Sequence, residues 1–372
     1  MTPPRIFIAA TRQDEGKTTT SLGLLTCLER KFAHVGFMKP VGQRYVEVGN
    51  GATVDKDVWL FIKQFGFTDE PQLMSPVTVP SSFTRNYIDH RDARPLEEAV
   101  VNAFTTVARG KEFMLLEGTG HAGVGSVFDL SNARVAELLE SPAILVTSGG
   151  IGKPVDGILL NCALFKAHGV RVAGVIINKV VPDKIKEITR YVSSALAWHG
   201  LAVLGVLPYV PLLSQPTLNE VRMEVGGRFI SGSELASRLY ADVAVISHFS
   251  TELAPRLREK TLLVAAGDQS DVLIACAGEE KEMAVLRERV SGILLVEGIE
   301  PKHHVVRMLQ HAGVPVILTD MAAYDATRSV ADLVAKIQPD NPEKVAAIRA
   351  VFDEHVEVER IVEAAHGAGS AH

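Results

Sequence analysis

The stretch that decides the fold reads Ile6-Phe-Ile-Ala-Ala10, followed by Thr11-Arg-Gln-Asp-Glu-Gly16-Lys17-Thr18. Its first part is a continuous apolar run of strand length, and the residues after Thr18 have the spacing of a helix. A strand, a loop ending in Gly-Lys-Thr and a helix together form the context of a phosphate-binding loop. The sequence therefore predicts a nucleotide-binding α/β domain that begins with its first strand.

The residues of this loop have separate physical roles. Backbone N–H groups at the helix start point at phosphate oxygens, and Gly16 permits their close approach. Lys17 neutralises the charge of the β- and γ-phosphates, while Thr18 offers its hydroxyl to Mg²⁺. The usual spacing would place a first glycine at position 11, where this chain has Thr11, and Ala10 stands one residue earlier. The alternative interpretation is an ordinary helix start capped by a threonine.

Apolar runs of strand length alternate with helical segments over the first two hundred residues. The runs lie at 6–10, 35–38, 112–116, 143–147, 172–177 and 202–206. Helical periodicity lies between them, at 19–30, 96–108, 154–168 and 184–199. Continuous apolar strands are buried on both faces, as in a parallel sheet covered by helices. The predicted fold class is α/β, with a doubly wound, mostly parallel sheet.

The second half of the chain predicts a smaller α/β domain. A proline-rich stretch at 208–216 resists regular structure and suits a connection between domains. Further apolar runs of strand length follow at 243–246, 261–265, 272–275, 292–296 and 314–318, and helical spacing returns at 342–365. The predicted divisions are a P-loop domain at 1–212, a second domain at 213–345, and a C-terminal helix with a flexible tail at 346–372.

Composition limits the partners. Hydrophobic residues make up 47% and charged residues 22%, with a net charge of −6 and no long basic run, which argues against nucleic acid and anionic membranes. No apolar run reaches the ~18–20 residues of a membrane span, and the N-terminus has no secretory signal. The three cysteines lie far apart without CxxC spacing, so we expect buried thiols and a cytoplasmic protein.

Several motifs along the first 210 residues carry a family resemblance. They are Ile6–Thr18, Phe37-Met-Lys39-Pro40, Leu116-Glu117-Gly118-Thr-Gly120, Gly174-Val-Ile-Ile-Asn178 and Leu204-Gly-Val-Leu-Pro208. Together they resemble dethiobiotin synthetase and its relatives. In that family the loop has one extra residue before Gly-Lys-Thr, so the family's first glycine corresponds to Ala10. The resemblance implies a P-loop NTPase fold, ATP and Mg²⁺ as ligands, and a homodimer.

The resemblance also implies roles for individual residues. Nucleotide contacts would come from Thr11, Glu15, Gly16, Lys17, Thr18, Thr19, Asn178 and Pro208. Lys17 and Lys39 would be the catalytic cations, and Asn178 would read the adenine edge with its amide. Thr18, Asp57 and Glu117 would hold Mg²⁺; Asp57 matches the family's aspartate better than Asp55 does.

The same residues permit structural interpretations. Lys39 before Pro40 could be a solvated strand end, Asp57 a helix N-cap, and Asn178 a turn residue. Glu117 differs from these, because a carboxylate that closes an apolar strand is costly unless it meets a cation.

Two further motifs are interpreted as structural. Residues Gly118-Thr-Gly120-His-Ala-Gly123 match GxGxxG, but they lie downstream of the first β-α unit, which argues against a dinucleotide site. His303, His304 and His311 have no accompanying Cys or carboxylate spacing, so a solvated helix face is favoured over a metal site.

Other segments separate this chain from dethiobiotin synthetase. Arg12 and Gln13 replace loop residues that, by the resemblance, would meet the synthetase's diamino substrate, and Gly42-Gln43-Arg44 replaces the synthetase's small hydroxylated segment. Gly267-Asp268-Gln-Ser-Asp271 resembles a variant of the motif that names the DRTGG domain, and the pair Gly267-Asp268 is either a ligand-contacting turn or a tight turn with an Asx cap. With Pro216-Thr-Leu-Asn-Glu220 and Leu318-Thr-Asp320, this architecture resembles the N-terminal region of long phosphotransacetylases.

Three functional hypotheses follow. The leading one is an ATP- and Mg²⁺-binding regulatory or sensing module with slow ATP hydrolysis and an unidentified small-molecule ligand at the second domain. The rival is an ATP-dependent synthetase that phosphorylates a carboxylate or carbamate. The third is a binding module for another ligand. Acetyl transfer by this chain itself is not expected, because that domain needs about 300 further residues.

Overall fold

The structure is a computed structural model that describes residues 2–43, 45–48, 52–248, 250, 253–278, 280–333, 335, 337 and 341–366. The chain divides into two compact units, Met1–Val210 together with Ile337–His372, and Pro211–Lys336. The first unit is thus built from two separate segments of the chain. The predicted boundaries at 212 and 345 remain predictions, and residues 367–372 of the predicted tail lie outside the described residues.

The strands and helices are defined as follows. The strands are β1 (Arg5–Ala10), β2 (Val35–Met38), β3 (Val41–Gly42), β4 (Tyr45–Val48), β5 (Ala52–Asp55), β6 (Val77–Thr78), β7 (Phe113–Glu117), β8 (Ala143–Ser148), β9 (Val172–Val180), β10 (Val203–Pro208), β11 (Arg228–Ser231), β12 (Asp242–Val245), β13 (Thr261–Ala266), β14 (Val290–Val296) and β15 (Val316–Leu318). The α-helices are α1 (Lys17–Leu28), α2 (Lys56–Phe65), α3 (Pro71–Met74), α4 (Phe83–Asp89), α5 (Arg94–Val107), α6 (Asn132–Leu138), α7 (Gly152–Ala167), α8 (Ile185–Ala197), α9 (Leu218–Glu224), α10 (Leu253–Arg256), α11 (Ser270–Ala277), α12 (Lys281–Arg289), α13 (His303–His311), α14 (Ala323–Ala331), α15 (Pro342–His355) and α16 (Val358–His366). Short 3₁₀ helices lie at Ser126–Phe128, Pro182–Lys184, Pro211–Ser214 and Ser233–Leu235.

The first unit is organised around a six-stranded sheet in the order β10-β9-β8-β1-β7-β2. All five neighbouring pairs are parallel, which confirms the predicted doubly wound sheet. The chain begins in the middle of this sheet, with β8 on one side of β1 and β7 on the other. Since ligands of open α/β sheets bind at the carboxyl ends of strands where the strand order reverses, the end of β1 is the expected binding position.

Both faces of this sheet are covered by helices, which explains why β1 is buried along its whole length. On one face Phe104 of α5, Phe165 of α7 and Leu196 of α8 join a core with Phe7 and Leu145 of the sheet. Side chains alternate along a strand, so Ile6 and Ile8 face the other way. On that face α1 and α16 contact β1, α15 and α16 contact β10, and α1 packs against α15.

The second unit has a five-stranded sheet in the order β11-β15-β14-β13-β12, in which only β11 runs antiparallel to its neighbour among the described strands. One core joins Leu273 and Leu309 to residues of β13 and β14, and a second core joins Val221 and Val330 to alternate residues of the same strands. The predicted second, smaller α/β domain is confirmed.

One predicted strand in this unit is wrong. Residues Val272–Ala275 lie inside the helix α11, where Val272, Leu273 and Ala275 are buried. A short apolar run fits a buried helix as well as a buried strand, and periodicity cannot distinguish them. A turn at Gly267–Gln269, directly after β13, leads into this helix.

The helical stretch predicted at 342–365 is interrupted. Helix α15 ends at His355, and Val356 then forms an isolated bridge with Gly205 of β10. The backbone N–H of Glu357 donates to Leu204 O at 2.8 Å before α16 begins. Within the described residues, no helix combines the length and the apolar character that crossing a membrane requires.

Candidate nucleotide-binding site

The loop between β1 and α1 is fixed by backbone bonds to two neighbouring strand ends. Ala10 N donates to Gly120 O at 3.1 Å, and Thr11 N donates to Val146 O at 2.9 Å. The Thr11 hydroxyl adds a 2.9 Å bond to Thr147 Oγ1. Gly16 has a φ of 94°, a conformation that favours glycine, and directly precedes the first residue of α1. The loop therefore lies at the carboxyl edge of the sheet, at the start of α1.

The end of β9 braces the loop from the other side. Asn178 Nδ2 donates to Glu15 O at 3.0 Å, and Asn178 Oδ1 accepts from Lys179 N at 2.9 Å. Lys179 Nζ donates to Asp14 O at 2.7 Å. A Cβ atom on Gly16 would lie 2.1 Å from Asn178 Nδ2, so glycine is required for this close packing. The adenine contact predicted for Asn178 stays a prediction.

Charged side chains from four elements meet beside the start of α1. Thr18 Oγ1 donates to Glu117 Oε1 at 3.2 Å, which links the loop triplet to the end of β7. Lys39, directly after β2, donates from Nζ to Asp55 Oδ1 at 3.0 Å and also to Asp57 Oδ2. The structure thus brings the predicted residues Thr18, Lys39, Asp57 and Glu117 to one edge of the sheet.

The protonation of these groups reflects their burial and their neighbours. Burial, reinforced by the nearby Asp57 carboxylate, raises the pKa of Glu117 to about 7 against the opposing effect of Lys39. Burial lowers the pKa of Lys17, although Glu117 partly opposes this. Burial alone would lower the pKa of Lys39, but the aspartates outweigh it and the pKa lies above its ordinary value. Perturbed groups of this kind cluster at functional sites.

Asp55, which the sequence comparison set aside in favour of Asp57, lies at the same edge of the sheet and contacts Lys39. Its side chain is buried and caps α2, accepting from Asp57 N at 2.9 Å and Val58 N at 3.4 Å. Burial raises the pKa of Asp55, and Lys39 opposes that shift. The sequence signal was an aspartate directly before a helix, but this signal does not reveal that a buried lysine lies opposite.

The glycines after β7 have a packing role. A Cβ on Gly118 would lie 2.7 Å from Asn132 Oδ1 and from the Phe7 ring. Asn132 holds this loop by accepting from Thr119 N at 3.0 Å and donating to His121 O at 2.7 Å. Asn161 Oδ1 accepts from Ala122 N at 2.8 Å. The GxGxxG match is therefore explained by close packing beside the phosphate loop.

The remaining predicted residues occupy varied positions. Glu15 and Thr11 are buried, Thr19 is half-buried, and Pro208 ends β10 at the far edge of the sheet. The divergent loop residues Arg12 and Gln13 are exposed, while Arg44 lies outside the described residues. His303, His304 and His311 are exposed on α13, as predicted.

The oxygen donors at this edge fit a magnesium ion bound together with a nucleotide. Mg²⁺ in such sites is bound by one or two carboxylates and completes its shell with phosphate and water. Thr18, Asp57 and Glu117 supply a hydroxyl and two carboxylates. In the described part of the chain no group of three or more His, Cys, Asp and Glu residues is arranged to hold a metal ion.

The fold and the loop define a P-loop protein of NTPase type. A family model described as an AAA domain matches residues 4–217, which is more than half of the 372 residues, and the chain belongs to this family. A second model, described as a DRTGG domain, matches residues 220–333. The predicted combination of a P-loop domain and a DRTGG domain is confirmed.

Curated relatives include two kinds of protein. A phosphate acetyltransferase of Nitratidesulfovibrio vulgaris is 23% identical over 361 residues, which cover 95% of this chain and 50% of the relative. A phosphate acetyltransferase of Nitrosomonas europaea is 24% identical, with 96% and 51% covered. The chain thus spans about half the length of these relatives. An ATP-dependent dethiobiotin synthetase BioD of Nitrosopumilus maritimus is 25% identical over 221 residues, covering 58% of this chain and 93% of the relative.

Solved structures show more distant similarity. The MinC:MinD cell division protein complex of Aquifex aeolicus gives a TM-score of 0.37 at 14% identity, covering 56% of this chain and 83% of that chain. A plasmid partition protein of Borrelia burgdorferi bound to AMPPNP gives a TM-score of 0.38 at 13% identity, covering 57% and 90%. The CBS and DRTGG domains of a Clostridium perfringens pyrophosphatase give a TM-score of 0.25 at 16% identity, covering 37% and 60%.

Proposed function

We propose that this chain binds ATP with Mg²⁺ at the loop Gly16–Thr18 and acts as a regulatory module. The observation that carries the proposal is the convergence of Lys17, Thr18, Lys39 and Glu117 at the carboxyl end of β1. Lys17 Nζ forms no side-chain hydrogen bond within the residues covered by the structure, so its ammonium is available to a phosphate. Thr18, Asp57 and Glu117 would hold the ion.

In this arrangement the chain contributes binding and charge neutralisation. Backbone N–H groups of the loop and the Lys17 ammonium would hold the β- and γ-phosphates, and Lys39 would face the terminal phosphate from the β2 side. Mg²⁺, when bound, would offset the negative charge of the phosphates. Slow hydrolysis at most is expected of a module whose role is to report nucleotide binding.

The nucleotide assignment is tested by calorimetry on the full chain. Lys17→Ala is expected to weaken ATP·Mg²⁺ binding by about a hundredfold, because a phosphate loses its charge-assisted partner. The matched control is Lys166→Ala, which removes an exposed lysine from the last turn of α7 and is expected to bind as the wild type does. Equal ATP affinity in Lys17→Ala and the wild type would overturn the assignment.

An ATP-dependent synthetase is the second candidate, and it is favoured by the match to nearly the whole length of the dethiobiotin synthetase relative. In that case the same cations would promote phosphoryl transfer to a carboxylate or carbamate. The discriminating measurement is ADP release with and without panels of carboxylate and amine substrates. Release that rises with a substrate would support the synthetase, and tight ATP binding without such stimulation would support regulation.

The remaining elements of the proposal concern partners. The unit at Pro211–Lys336 would bind a small molecule, which a metabolite screen by thermal shift can identify. A cytoplasmic homodimer is proposed from the family resemblance, and light scattering of the purified chain measures its mass directly.

A further inference from the structure

Lys39 is shared between two aspartates that are held in different ways. Asp55 is 1% exposed, and its Oδ1 atom accepts both from Lys39 Nζ and from two backbone N–H groups at the start of α2. The Asp57 side chain is 30% exposed and stands in the first turn of the same helix. Asp55 is thus fixed by the helix it caps, whereas Asp57 is not the N-cap of that helix.

The same side chain, Asp57, is needed in two places. In the structure its carboxylate pairs with Lys39, and in the proposed function it belongs to the Mg²⁺ site. Moving Asp57 to the ion would remove one of the two direct partners of a lysine that is only 6% exposed. A buried ammonium that loses its paired anion is strongly destabilised, so the exchange needs a second anion that stays in place.

From this geometry we propose that Asp55 is a positioning residue, which holds the Lys39 ammonium beside the phosphate site while Asp57 transfers from Lys39 to the nucleotide-bound Mg²⁺. The inference rests on the proposed nucleotide function and specifies how its ion site is assembled. Asp57 is the exchangeable partner of Lys39, and Asp55 is the permanent one.

A spare acceptor on Asp55 supports this division of roles. Asp55 Oδ2 is buried and accepts no hydrogen bond from any group in the described part of the chain. A Cβ atom on Gly42 would lie only 2.8 Å from it, so glycine leaves the space that Asp55 occupies. When Asp57 leaves, the ammonium can therefore replace that hydrogen bond with one to Asp55 Oδ2. Lys39 then keeps two hydrogen bonds and its charge.

The test uses the full chain with Asp55→Asn. Asparagine caps helices as well as aspartate does, so the variant removes the charge and keeps the cap. The readout is the ratio of ATP-analogue affinities measured by calorimetry with and without Mg²⁺. We expect this ratio to fall by about tenfold, because Asp57 must then remain with Lys39. Asp55→Ser, which also caps, is measured in parallel and is expected to lower the ratio similarly.

Measuring Asp55→Asn in a Lys39→Met background distinguishes positioning of Lys39 from a purely structural role of Asp55. In the Lys39→Met background, Asp55→Asn should leave the Mg²⁺ ratio unchanged, because Asp55 acts through the ammonium. An equal loss in both backgrounds, or an unchanged ratio in Asp55→Asn alone, overturns the inference while the nucleotide assignment stands. A wild-type chain with no affinity for the nucleotide overturns the proposed function, and this inference with it.

Discussion

At the residue scale, Gly16 is required both by its backbone angle and by its neighbour. Its φ of 94° strains any other residue, and a Cβ would meet Asn178 Nδ2 at 2.1 Å. We expect Gly16→Ala to lower the free energy of unfolding by roughly 2–4 kcal/mol and to weaken nucleotide binding, since the bond from Asn178 to Glu15 O must shift. Urea denaturation and calorimetry measure the two effects.

Gly66 is the matched control for this substitution. It also has a positive φ, of 67°, but a Cβ there would meet no atom within 4 Å. Gly66→Ala should therefore cost only about 1 kcal/mol, from the backbone conformation, and leave nucleotide affinity unchanged. Equal losses of stability at the two positions would show that the contact with Asn178 contributes nothing.

The raised pKa of Glu117 predicts a pH dependence of stability in the absence of nucleotide. A carboxyl whose pKa is higher in the folded chain binds its proton more tightly there, so stability falls as pH rises from the ordinary value near 4.5 to about 7. Above that range the full penalty applies, on the order of 3 kcal/mol. Glu117→Gln should stabilise the nucleotide-free chain by this amount at pH 8, with the gain fading as pH approaches 4.5.

The same substitution should act oppositely on function. Glutamine cannot replace a carboxylate near Mg²⁺, so the affinity for ATP·Mg²⁺ is expected to fall by about tenfold or more. A stability gain together with a loss of Mg²⁺-dependent binding is the expected pattern at a functional site. A Glu117→Gln chain that is less stable at pH 8 would contradict the burial argument.

At the scale of elements, the contact between α1 and α15 depends on one glycine. A Cβ atom on Gly23 would lie 2.2 Å from a ring carbon of Phe352, which is 1% exposed. Alanine normally stabilises a helix interior by about 1 kcal/mol relative to glycine. Here we expect Gly23→Ala to destabilise the chain by about 2 kcal/mol, because the phenyl ring must move.

Relief of the clash can be tested by a double variant. Phe352→Leu alone should cost about 1–2 kcal/mol through lost packing. Combined with Gly23→Ala, it should cost less than the sum of the single effects, since the smaller side chain makes room for the methyl group. Additive losses in thermal or urea unfolding would argue against direct interlocking of the two helices.

The sequence predicted those elements whose signals are local. The strand, loop and helix around Gly16 follow from adjacent residues, and the apolar runs place the other central strands of the first sheet. The helix at Val272–Ala275 escaped because a short apolar run has no period of its own. Asp55 was set aside in favour of Asp57, because no local pattern reveals its contact with Lys39, sixteen residues earlier in the chain.

In the candidate site, too, sequence reasoning found the residues that have a local motif and did not find those that depend on distant contacts. Lys39, Asp57 and Glu117 were placed by a family resemblance, and the structure then brought them together. Lys179, which bonds to Asp14 O, has no sequence signal, because its position depends on the end of β9 reaching the loop. Contacts between distant backbone segments are the part of a site that sequence reasoning recovers least.

At the scale of the whole molecule, the first unit is completed by a segment outside both family matches. Ile348, Phe352 and Ile361 of this segment are almost fully buried. A chain that ends at residue 340 is therefore expected to lose several kcal/mol of stability in the first unit. Limited proteolysis with mass spectrometry should show cleavage within 1–210 earlier than in the full chain.

Glu359→Ala is the control for that truncation. Glu359 lies on the same C-terminal segment, and its substitution removes an exposed ion pair with Lys31. Proteolysis should change little, because surface ion pairs contribute less than about 1 kcal/mol. If the shortened chain resisted proteolysis as well as the full chain does, the C-terminal helices would have no stabilising role.

The packing of Gly23 against Phe352 joins two helices that are synthesised at different times. A ribosome adding about 5–20 residues per second makes the helix that starts at Lys17 roughly 15–65 s before the helix that starts at Pro342. Throughout that interval the face of α1 that packs against α15 has no partner helix. The nascent chain therefore spends many seconds with an apolar surface open to chaperones.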